Sequence, residues 1–107
     1  MSYKYQVYIV DLKKSVLNHP KFKARNKNYK EGKPCVYVGS TGIGVEQRFE
    51  QHKVGYKSNR YVKKYWRRLR LSDMNDIRPR KTRVSIEKKE AEVAKELQAK
   101  GWAVWWG

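Results

Sequence analysis

A chain of 107 residues can enclose one modest hydrophobic core and has no length for a second, so a single domain spanning 1–107 is expected. Its 26 Lys and Arg against 10 Asp and Glu give a formal net charge of +16, a surplus that repels itself unless a polyanion lies alongside; a nucleic acid, bound more weakly as salt rises, is the expected partner. No run approaches the roughly 20 apolar residues of a spanning helix and no leader pattern opens the sequence, while the lone Cys35 excludes an internal disulfide and a cysteine-rich zinc site, so a cytoplasmic, non-membrane setting is expected.

Tyr5 to Leu12 alternates in part and is rich in β-branched and aromatic residues, which predicts a first strand. From Lys13 to Lys33 the periodicity breaks among Asn18, Pro20, Asn26, Asn28 and Gly32 and many lysines, which reads as an irregular basic insertion with a short helix near Lys13 to Leu17, facing nucleic acid rather than the core. Cys35 to Val38 predicts a second strand, antiparallel to the first, with Cys35 a small buried hydrophobe; Gly39 to Gly44 follows as a turn.

Val45 to Lys53 turns helical and ends at Gly55. Ser58 or Asn59 caps a further helix, in which Val62, Tyr65, Trp66 and Leu69 recur on one face and Lys63, Lys64, Arg67, Arg68 and Arg70 occupy the others. Leu71 to Thr82 reads as a connection, with Arg83 to Ile86 a brief strand. Glu87 to Lys100 is the clearest helix, stopped by Gly101, and Trp102 to Trp106 closes the chain as a strand whose tryptophans pack against the sheet. The sum is an α+β fold, a small and mainly antiparallel sheet of about three strands flanked by helices.

One carboxylate falls in an unfavourable place. Val93, Ala94 and Leu97 form the apolar stripe of the last helix, and stepping back three or four residues lands on Glu90, whereas Glu87, Glu92 and Glu96 are free to face solvent. An ionised carboxylate on that seam needs a cation. Either a lysine or arginine pairs with it structurally, or it is a metal ligand or catalytic group.

Val7-Tyr8 in the first strand, Tyr37-Val38-Gly39 in the second, Arg48 and His52 one turn apart on the next helix, and Glu90 later resemble, in order and spacing, the pattern of the GIY-YIG nuclease superfamily. The tail from Glu90 through Gly101 to the closing strand is similar to small stand-alone members. Two departures stand out: Gln6 replaces the first glycine of the leading motif, and the link from Tyr8 to Tyr37 is longer than the usual tight connection. The polar residue that many members carry after the glutamate helix has no counterpart.

The resemblance implies a metal-dependent endonuclease that hydrolyses DNA phosphodiester bonds, with RNA left open as a substrate. It implies Tyr8 as general base or positioner of the attacking water, and Tyr37 as a second hydroxyl on water or phosphate, against the plainer reading of a strand packing residue. It implies Arg48 gripping the phosphate through its planar fork, His52 taking the proton of Tyr8 or orienting its hydroxyl, and Glu90 holding one Mg²⁺ or Mn²⁺ ion. Gly39, Lys57, Arg60, Lys63, Lys64, Arg67 and Arg68 are the expected nucleic-acid contacts. A basic binding module that kept the charge and lost turnover is the alternative.

Overall fold

The computed structural model describes residues 3–107. Strand β1 (Gln6–Leu12) and strand β2 (Cys35–Thr41) pair antiparallel in the register Tyr8 opposite Gly39 and Val10 opposite Tyr37. Alternation along β1 sends Tyr8, Val10 and Leu12 to one face and Val7 and Ile9 to the other, so each face has its own core. The first core lies under α1 (Pro20–Arg25), α2 (Val45–Val54) and α3 (Arg60–Tyr65), and the second under the 17-residue α5 (Arg83–Ala99).

The sheet has four strands and is mixed, with β1 and β2 as its middle pair and one strand added at each edge. Of the two additions to the expected antiparallel pair, β4 (Ala103–Trp106) runs parallel to β2, because α5 crosses the sheet face and returns the chain beside Cys35. The other, β3 (Trp66–Leu69), is the second half of what the sequence predicts as helix. Its apolar residues do turn inward as periodicity suggests, yet the helix stops at Tyr65. Trp66 takes extended angles, φ −57° and ψ 146°, and the segment satisfies the free edge of β1 instead. Asp11, buried in β1, fixes the junction by accepting from Arg67 at 3.2 Å and Arg70 at 3.0 Å. A four-residue α4 (Leu71–Met74) follows.

Two further expectations are corrected. Arg83 to Ile86 is the first turn of α5, capped by the Thr82 hydroxyl, which accepts from the Ser85 N–H at 3.1 Å. The basic insertion is partly core: Val16, within a 3-10 turn (Lys14–Asn18), and Phe22 are fully buried, while the lysines face out. Asn26 is buried too, and its side-chain amide does the work of a strand. It accepts from Val104 N–H at 2.7 Å and donates to Val104 C=O at 3.1 Å, along the outer side of β4.

The turn expected over Gly39 to Gly44 starts later, because β1 keeps pairing with β2 through Thr41; other local readings hold. Cys35 is buried, Asn59 caps α3 by accepting from the N–H groups of Tyr61 and Val62, and Gly55 and Gly101 end their helices at φ 86° and 90°. Trp105 packs on Tyr61 and Phe22, and Trp106 joins the opposite core. No helix among the described residues is long and apolar enough to cross a membrane.

Candidate active site

The site begins with a glycine opposite a tyrosine. A Cβ on Gly39 would stand 2.5 Å from Cζ and the hydroxyl oxygen of Tyr8 and 2.8 Å from Cε2 of Tyr37, so the missing side chain is the room in which the two phenols sit. Their ring centroids are 6.1 Å apart. Gly39 is itself buried, and what it contributes here is the room for the two rings.

Helix α2 lays Arg48 and His52 over this pair. The Tyr8 hydroxyl lies 2.7 Å from Nε2 of His52, in a fully buried contact. The other ring nitrogen, Nδ1, accepts from the Asn59 backbone N–H at 3.3 Å. A nitrogen that accepts carries no proton in the neutral ring, so the proton is on Nε2 and His52 donates to the Tyr8 oxygen. Of the two expected roles, this geometry serves orientation, and the neutral ring has no lone pair left to take the phenol's proton.

Burial, reinforced by the neighbouring Arg48 charge, lowers the His52 pKa to about 4. Between pH 7 and 5 the unfolded chain therefore gains a proton at His52, near its ordinary 6.5, while the folded imidazole does not. Stability present above that ordinary value is lost on acidification, by about 2 kcal/mol across the interval, and this loss levels off below about pH 4. Denaturation at pH 7 and pH 5 is expected to show the drop in the parent and a smaller one in His52→Gln. Equal drops in both would mean that the folded imidazole is charged.

Arg48 is organised by the turn after α2. Its guanidinium donates to Gln51 Oε1 at 3.0 Å and to the carbonyls of Tyr56 and Lys57 at 3.2 and 2.7 Å. These bonds account for three of the five N–H donors of a guanidinium. No carboxylate pairs with it among the described residues. It lies beside Tyr8, where its charge favours the phenolate, but burial and the adjacent Tyr37 outweigh it and push the Tyr8 pKa well above the ordinary phenol range. Burial, with Glu90 adding to it, pushes Tyr37 up to about 12.

Strand β4 pairs with Cys35 to Val38 and stops, so Gly39 and Ser40 extend past its last partner. At this end of the sheet both faces reach one cleft of about 440 Å³. Tyr8, Tyr37 and Arg48 enter from the first core, and Glu90 comes from α5 with Glu87 one turn before it and Ser40 between. Four of the five expected catalytic side chains thus share a single cavity, and His52 is bonded behind Tyr8.

Glu90 is buried on the inward seam as its position implies, but the expected cation is not there. Among the described residues no lysine, arginine or histidine forms an ion pair with it, and only the nearby Ser40 side chain and Gly107 backbone favour its charged form. Burial raises its pKa, and Glu87 adds to the rise. A buried carboxylate without a compensating charge, opening on a cleft that also holds hydroxyls, suits a hard divalent ion that keeps most of its water. No cluster of three or more His, Cys, Asp or Glu side chains that could hold a metal is found among the described residues, and the carboxylates at the cleft are Glu90 and Glu87.

Of the expected contacts beyond the cleft, Lys57 lines a groove that continues from it. Arg60, Lys63, Lys64, Arg67 and Arg68 are exposed on α3 and β3; Arg67 already pairs with Asp11, and Arg60 lies over the Tyr61 ring. Sequence reasoning missed Ser40, Arg83 and Glu87, all of which line the cleft. Glu87 stands three residues before Glu90 and was legible from that spacing alone; it is exposed, as expected, and lines the cleft as well. Comparison of the chain with protein-family models, with curated proteins and with solved structures finds no match.

Proposed function

We propose that this chain is a metal-dependent endonuclease of GIY-YIG type that hydrolyses DNA phosphodiester bonds. The observation that carries this reading is the convergence of Tyr8, Tyr37, Arg48 and Glu90 on one cleft from four different elements, in a protein of net charge +16. Glu90 would hold one Mg²⁺ or Mn²⁺ ion, which when bound supplies neutralising charge to the phosphate.

The chain's own residues supply the rest. Arg48 offers its remaining donors to a non-bridging phosphate oxygen, and the carbonyls of Tyr56 and Lys57 keep it aimed. Tyr8 holds the attacking water and, as phenolate, accepts its proton; the N–H of His52 and the charge of Arg48 stabilise that form. Tyr37 places a second hydroxyl beside it.

One observation favours the alternative of a basic binding module without turnover: burial holds Tyr8 as the neutral phenol, which positions water but does not deprotonate it. Supercoiled plasmid separates the two. With Mg²⁺ the parent is expected to nick it, chelator should stop the reaction, and Arg48→Ala should slow it by roughly 10²–10³-fold, as loss of a transition-state donor does. Binding without nicking would establish the module, and nicking untouched by Arg48→Ala would place the chemistry elsewhere.

A further inference from the structure

We infer that the groove running from the cleft past Arg48 to Tyr56 is a stacking subsite for an unpaired DNA base next to the scissile phosphate, an inference that rests on the nuclease reading for where that phosphate lies. The groove shares Ser40, Arg48 and Arg83 with the cleft and adds Lys4, Tyr56 and Lys57. Four of these are cations and no carboxylate lines the groove, whereas the cleft holds Glu87 and Glu90. The change from mixed to purely positive lining marks where metal chemistry gives way to backbone binding.

Tyr56 is the unusual member. Tyr56 is 54% exposed and belongs to neither core, yet its backbone is fixed on both sides. Gly55 before it is left-handed at φ 86°, and Lys57 after it adopts φ 44°, a conformation that a residue with a side chain rarely takes. Tyr56 N–H donates to the Gln51 carbonyl at 2.9 Å, and the carbonyls of Tyr56 and Lys57 both accept from Arg48. One guanidinium therefore positions an exposed aromatic ring while pointing into the cleft. Lys57 adds a charge 5.6 Å from the ring centroid.

A ring held open beside cations is what sequence-tolerant stacking requires, since every base has a π-face and the cations track the backbone. Inside a duplex that face is covered by neighbouring base pairs. The subsite therefore selects a nucleotide that is unpaired or splayed out of the helix.

The test measures binding, in chelator, of the full chain to a blunt DNA duplex and to the same duplex carrying an unpaired flank with 2-aminopurine in it. The flanked DNA is expected to bind about tenfold tighter and its fluorophore to be quenched. Tyr56→Ala should bring the ratio of the two affinities close to one and restore the fluorescence, while Tyr56→Phe, which keeps the ring, should retain both effects. A parent that binds the two DNAs equally, or a preference that survives Tyr56→Ala, overturns the subsite. Because no cleavage enters the measurement, that result is distinct from a failure of plasmid nicking, which alone would overturn the nuclease reading.

Discussion

Replacing Glu90 by glutamine is expected to abolish cleavage and to leave the protein more stable than its parent at neutral pH. The carboxylate is buried without a cation, and burial raises its pKa. A carboxyl whose folded pKa lies above its unfolded one contributes most while protonated, and that contribution is lost as pH rises through the folded value. The amide keeps the shape and removes the charge, so the gain at neutral pH should be on the order of 1 kcal/mol, a trade of activity for stability that is common where function needs an unfavourable group. Thermal unfolding measured with and without Mg²⁺ checks both halves. Added ion should raise the melting temperature of the parent by binding only the folded state and should leave Glu90→Gln unmoved. A glutamine variant less stable than the parent would show that Ser40 and Gly107 more than compensate the ionised group.

The second large effect should come from a single methyl. In Gly39→Ala the new carbon would overlap the Tyr8 hydroxyl and Tyr37 ring at 2.5 and 2.8 Å, at a position that β2 holds in register directly opposite Tyr8 of β1. Tyr8 is 1% exposed and bonded to His52, so it has nowhere to turn. Overpacking of this kind costs about 1–3 kcal/mol of stability. Displacing the phenol from the phosphate by about 1 Å costs on the order of 10²-fold in rate. Plasmid nicking and denaturant unfolding of Gly39→Ala are the measurements, and a fully active variant would mean that Tyr8 is free to move without consequence.

These effects also mark what the sequence discloses and what it hides. Glu90 was legible because a carboxylate on an apolar helical stripe contradicts its surroundings, and the period of the helix alone exposes the contradiction. Its missing cation was not legible, since no one-dimensional pattern says which of 26 basic residues will come near. Trp66 and Leu69 sit where a continuing helix would bury them, and only the unpaired edge of β1 decides that they extend as a strand. The inward turn of Phe22 and Asn26 depends on β4, 78 residues from Asn26 at Val104, so a segment read as a basic loop facing nucleic acid becomes part of the core. The direction of the His52 hydrogen bond needs Asn59, whose legible role was to cap a helix.

The Asn26 amide on Val104 has a consequence for self-association. Bare strand borders invite a second copy to add its own strand, the usual seed of filaments and swapped pairs. Here one border is occupied by a side chain mimicking a peptide, and the other, β3, displays Arg67 and Arg68, which would repel their equivalents in an approaching twin. Concentrating this protein should therefore favour precipitation with polyanions over growth of ordered fibres.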